Sequence, residues 1–238
     1  MLVAAAVCPC PPLLVPEVAA GAAPELDAAR DACLDAVGAL AASRPDLLVV
    51  VGPGDDRSAG PHPAGARGSF RGVGVDLDVT LGDAPQDAAP GRPLPQSLTV
   101  GAWLLGRARW TGAPVEGLAV AESEATRECA EAGRSLARRA ERVALLVMGD
   151  GSACRTLKAP GYLDERAAAF DARATEALGS ADLEALAALD ATLARELKAA
   201  GRAPWQLLGG AARDAGLAGR LLYEDAPYGV GYTVAAWS

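Results

Sequence analysis

Histidine is nearly absent from this chain of 238 residues, which holds a single one, His62. Lysine is almost as scarce, with only Lys158 and Lys198, and aromatic residues make up 4%. Each shortage excludes something. No histidine follows Ser152, and its surroundings do not form G-x-S-x-G, so the nucleophile, acid and histidine order of an α/β-hydrolase cannot be written. With a net charge of −8 there is no basic footprint for nucleic acid or an anionic membrane. Arg134, Arg138 and Arg139, at helical spacing, read as a solvated face. The core has to be built from Ala, Val and Leu. No apolar run approaches the roughly 20 residues of a membrane span. Leu2 to Val7 lacks the preceding charges of a signal sequence and reads as the first buried strand of a cytoplasmic protein. Neither a Walker loop nor a G-x-G-x-x-G opening a helix is present.

What is present is a hydrophobic content of 51%, enough to bury one large core, so residues 1–238 are expected to form a single domain. Five scattered cysteines, an odd count, fit reduced thiols better than a disulfide framework. Heavy use of Arg, Ala and Gly points to a high-GC bacterial genome.

The chain is organised around Leu145 to Asp171, where an apolar run of strand length breaks at Gly149-Asp150-Gly151-Ser152 and passes through Pro160-Gly161 into an Ala-rich helix. A strand ending in a Gly-rich loop is where α/β proteins place ligands. Further strands are expected at Leu47 to Val51, Gly72 to Leu81, Val115 to Val120, Leu221 to Glu224 and Val230 to Trp237. Helices are expected over Glu25 to Ala42, Gln96 to Trp110, Ala125 to Arg142, with Ser123 as its cap, and Asp164 to Lys198 with a break at Gly179. Another begins near Pro204. Helical spacing places Cys33 in the core, Arg57 to Arg71 reads as a loop with His62 solvated, and Asp76 and Asp78 form the wet face of their strand. The fold class is therefore α/β, a central mostly parallel or mixed sheet flanked by helices.

Three stretches carry a family resemblance. Gly149-Asp150-Gly151-Ser152 through Thr156, with Ala159-Pro160-Gly161-Tyr162, Asp164 and Phe170-Asp171, is similar to the "GDLSHRLT…AP.GYD…FD" segment of class III extradiol ring-cleavage dioxygenases of the catalytic B-subunit type. Cys8-Pro9-Cys10-Pro11-Pro12-Leu13-Leu14 resembles the "PHPPLL" segment, and Tyr223 to Tyr232 resembles "YEGPFGVGY". The resemblance implies that the loops at Cys10, at Gly149 to Cys154 and at Asp225 meet at one end of the sheet. It also implies Fe(II) held by two histidines and a carboxylate, and a homo-oligomer or a partner subunit. The positions of the histidines are held here by Cys10, by a residue near Gly54, and by Ala153 for the acid/base; the carboxylate falls on Asp225 or Glu224.

Three functions follow as expectations. The first is a member of this superfamily that has lost the iron histidines, does not cleave rings, and serves as a scaffold or binds a small ligand through Gly149, Gly151, Arg155 and Lys158. The second is a rebuilt site of Cys10, with Cys8 and Cys154, Asp225 or Glu224, and His62, whose thiolates would favour zinc or copper(I). The third is a divergent non-haem iron oxygenase acting on a catechol-like substrate, with Asp150 and Ser152 as its catalytic groups.

Overall fold

The computed structural model describes residues 1–83 and 91–238. Seven strands form one mixed sheet in the order β3-β6-β2-β7-β1-β9-β8. They are β1 (Leu2–Cys8), β2 (Leu47–Gly54), β3 (Gly60–His62), β6 (Val115–Ala121), β7 (Val143–Met148), β8 (Gly219–Asp225) and β9 (Tyr232–Trp237). β4 (Arg67–Ser69) and β5 (Asp78–Thr80) pair separately. The inner four, β6, β2, β7 and β1, are parallel, while β3, β9 and β8 each run antiparallel to the neighbour they join. Parallel strands covered on both faces should be apolar throughout rather than alternating. β7, Val-Ala-Leu-Leu-Val-Met, is buried at every position.

Alternation across β1 divides the core. Leu2, Ala5 and Val7 face one apolar layer, and Ala4, Ala6 and Cys8 the other, with a register shift between Leu2 and Ala4 that accounts for the break in period. The second layer is closed by α1 (Pro16–Ala19), α2 (Asp27–Ala42) and α3 (Gln96–Arg107). The first is closed by α4 (Thr126–Leu136), α5 (Ala167–Ser180), α6 (Leu183–Ala187), α7 (Ala191–Glu196) and α8 (Arg202–Ala212). Cys33 lies fully buried on α2, and all five cysteines are free and buried. Among the described residues no helix is long and apolar enough to cross a membrane.

The departures from the sequence reading have local causes. Asp164 to Lys198 makes three helices rather than one broken at Gly179. Ala181 turns the chain left-handed at φ 55°, and Asp182 and Asp190 cap two new helices, accepting from the amides of Glu184 and Ala185 and of Leu193. The helix expected to reach Arg142 stops at Leu136, and Ser123 does not cap it; its N-cap is Ala125, which has no side-chain bond. Arg57 to Arg71 is not loop throughout. His62 ends the edge strand β3 and is 1% exposed, with Nε2 at 2.9 Å from the Ser58 carbonyl oxygen. Proline on both sides of His62 hid this, although an edge strand tolerates a missing amide donor. Only Asp78–Thr80 of the strand expected over Gly72 to Leu81 forms, and Asp76 and Asp78 are exposed and paired with Arg71.

Candidate functional site

The C-terminal ends of β1, β2, β6 and β7 share one rim of the sheet with the start of β9 and the end of β8. Backbone bonds tie the loops there. The Gly149 amide donates to Cys8 O (2.9 Å), that of Gly151 to Gly231 O (2.7 Å), that of Gly231 to Ser152 O (2.9 Å) and that of Arg155 to Gly229 O (3.0 Å). The three loops named from the sequence therefore do meet.

A buried carboxylate holds this junction. Asp171, near the start of α5 and 4% exposed, accepts from the Ser152 amide (2.7 Å) through Oδ1. Its Oδ2 accepts from the Ser152 hydroxyl (2.7 Å) and the Arg155 guanidinium (3.1 Å). A Cβ added at Gly151 would meet Asp171 Oδ1 at 2.8 Å, so glycine is required there for close approach; its φ is not positive. Asp171 closes the Phe170-Asp171 pair of the resembling stretch, but nothing in the sequence marks it as the centre of the loop.

This assigns several expected site residues a structural role. Ser152 is fully buried with its hydroxyl spent on Asp171, so it is not a catalytic group open to substrate. The amides of Gly149 and Gly151 are donated within the protein and form no anion cradle. Arg155 is bound to Asp171. Lys158 lies with Arg155, Leu157 and Leu163 along a separate surface groove of about 680 Å³ that shares Tyr228 with the main cavity.

That main cavity, about 760 Å³, opens at the rim on the α3 side of the sheet. Asp150, in the loop after β7, lines it beside Cys10 after β1, and Glu122 after β6 lines it as well. Asp150 Oδ1 accepts the Cys10 amide (2.8 Å), and Oδ2 lies 3.9 Å from Cys10 Sγ. Burial pushes the Asp150 carboxyl up to about 6, opposed by the Cys10 bonds. Burial likewise raises the Cys10 thiol well above its ordinary range, and the neighbouring Asp150 adds to this. Proline and apolar groups, among them Pro11, Leu13, Pro53, Pro95 and Val230, form the walls. Arg57 and Arg92 line the side toward β3. The sequence reading missed both arginines, which lie in Pro/Gly-rich segments with no periodicity to place them.

Ferrous iron of the expected kind needs three donor side chains facing one point with positions left open. Among the described residues no three His, Cys, Asp or Glu side chains are so placed. Asp225 and Glu224 border a different crevice of about 10 Å³, where Asp225 Oδ1 accepts the Ala226 amide (2.7 Å). Cys8 is enclosed in the core layer with Cys33, the Cys154 thiol points at Leu197 O (3.4 Å), and His62 does not line the cavity. The residues present do not fit Fe(II), nor is the zinc or copper site expected from Cys10 with Asp225 or Glu224 assembled.

No protein-family model and no curated protein matches the chain. Among solved structures it resembles the uncharacterized protein JW3007 from Escherichia coli K12, with a TM-score of 0.53 and 14% identity over 99% of both chains. At that identity the likeness is one of fold.

Proposed function

We propose that this protein is a small-molecule-binding member of the class III extradiol dioxygenase B-subunit-like superfamily, one that has lost the iron histidines and does not cleave rings. The observation that carries this reading is the cavity of about 760 Å³ at the rim, which holds a half-buried carboxyl but no set of three cation-binding side chains among the described residues. Its size lies within the range of about 300–1,000 Å³ typical of small-ligand sites. Support for the superfamily comes from three sequence stretches that occur in the family's order and whose loops meet at this rim. An oxygenase acting on catechols would need a metal to gather substrate and dioxygen together. The donors here do not supply a seat for it.

Two measurements test the proposal. Anaerobic incubation with Fe(II) and a panel of catechols, followed by oxygen, should give no yellow ring-opened product; its appearance would overturn the loss of ring cleavage. A thermal-shift screen of small metabolites should give hits that disappear in Leu13→Trp, which fills the cavity. Hits that persist in that variant, or no hits at all, would remove the binding role.

A further inference from the structure

We propose that the rim cavity selects bipolar small molecules, with an anionic group at one end held by Arg57 and Arg92 and an N–H or O–H donor at the other received by Asp150. This rests on the ligand-binding reading above and names the class of ligand.

The two ends of the cavity differ in chemistry. Toward β3, the Arg92 guanidinium donates to the carbonyl oxygens of Arg57 (3.2 Å) and Pro61 (3.1 Å). Both acceptors are neutral, so they orient the guanidinium without cancelling its charge. No carboxylate among the described residues pairs with Arg92 or with Arg57. A guanidinium so held presents its remaining donors as a fork that suits a carboxylate or phosphate. The acid on this side, Asp55, is folded into its own turn, where Oδ1 accepts the Ser58 amide (2.8 Å) and hydroxyl (2.6 Å). Its charge moderates the two arginines without neutralising either directly. Gln96 and Ser97 at the start of α3 also line the cavity, and the positive end of that helix adds to the field the arginines set up.

At the other end the polarity reverses. Asp150 has one good donor, the Cys10 amide on Oδ1, while Oδ2 accepts only the long bond from the Cys10 thiol at 3.9 Å. A carboxylate accepts at both oxygens, and a thiol at that distance is a weak donor, so Oδ2 keeps the capacity to accept a stronger one. Glu122 also lines the cavity, but it follows β6, which in the order of the strands lies between β3 and the β7 end that carries Asp150. Between the ends the walls are largely proline and aliphatic, with no amide donors from the prolines, so the body of the ligand should be apolar. A molecule that is anionic throughout would meet Asp150 and Glu122, and a cation would meet the arginines. Only opposite ends on an apolar body satisfy both.

The test is calorimetric titration of the full chain at neutral pH with linear ω-amino acids of increasing length, beside the alkanoates and alkylamines of the same lengths. At the length that spans the cavity, the amino acid should bind about tenfold or more tightly than either relative, one such factor corresponding to about 1.4 kcal/mol. Arg92→Gln, or the exposed Arg57→Gln if the first disturbs folding, should bring the amino acid down to the alkylamine. Asp150→Asn should bring it down to the alkanoate. Equal binding by either relative at every length, or discrimination that survives both arginine variants, would overturn the proposal. If these probes fail while metabolite hits still depend on an open cavity, the ligand class falls and the binding function stands. If nothing binds, both fall.

Discussion

Asp150 shows how one residue's surroundings become a property of the whole chain. Its carboxyl is pushed up to about 6 by burial, whereas an unfolded aspartate ionises near 4. The native state therefore keeps this proton to higher pH than the unfolded chain does, and the contribution to stability falls as pH rises from about 4 to about 6, by up to about 3 kcal/mol. Asp150→Asn removes that dependence. Urea unfolding of both proteins at acidic and neutral pH should show the variant gaining on the wild type as pH rises; a constant difference would place Asp150 in an ordinary, solvated environment. At this scale the sequence was legible where a residue's role is set by its own element, as with Cys33 on the inner face of a helix. It was illegible where the role depends on a distant partner. Ser152 looked like a reactive hydroxyl because Asp171, its acceptor, lies across a loop and a helix start. His62 looked solvated because its burial depends on pairing with β6.

Elements were legible to the extent that periodicity defined them. The continuous apolar runs of β1, β6, β7 and β9 were found within two residues of their observed ends, while β2 runs three residues past Val51 through Gly52 and Pro53 to Gly54. Boundaries set by capping were not, since Asp182 and Asp190 look like surface acids until the chain turns at each. Helix contacts were also invisible in the sequence. α4 and α8 cross at glycines, and a Cβ on Gly133 would collide with the backbone of Leu207, one on Gly210 with that of Ala130. Gly38, on the exposed face of α2, has nothing within 4 Å of such a Cβ. Gly133→Ala should therefore destabilise by about 1–3 kcal/mol, because the helices must separate. Gly38→Ala should stabilise by about 0.5–1 kcal/mol through lower chain entropy and better helix propensity. Chemical denaturation midpoints moving in opposite directions would confirm the contrast, and a shared direction would contradict it.

For the whole molecule, the sequence indicated an α/β domain with a rim of loops, and the order of the strands supplied what it could not. β7 lies between β2 and β1, so the Gly149 to Ser152 loop is flanked by the ends of both, and Asp150 is brought to Cys10 from 140 residues away. Expectations about the metal failed at the same scale. Asp225 reaches the rim but opens onto another crevice, a difference that residue types and spacing do not encode. Because no group of three suitable donors forms among the described residues, chelation by EDTA or phenanthroline should leave the melting temperature and any ligand affinity unchanged. A chelator-dependent fall, reversed by one added metal, would reveal a centre that this arrangement does not show.

The junction around Asp171 also bears on how tightly each end of a ligand would be judged. The Gly151, Ser152 and Gly231 amides are locked by partners from three separate stretches of chain, so the wall that carries Asp150 cannot adapt without breaking several bonds together. Arg92 hangs from two neutral carbonyls through an exposed side chain and can follow an acid of different shape. Discrimination would then be lopsided: strict about where the donor sits, tolerant of whether the acid is a carboxylate, a sulfonate or a phosphate. Analogues changed at the acid end should be accepted as a graded series, while displacement of the donor should end recognition outright.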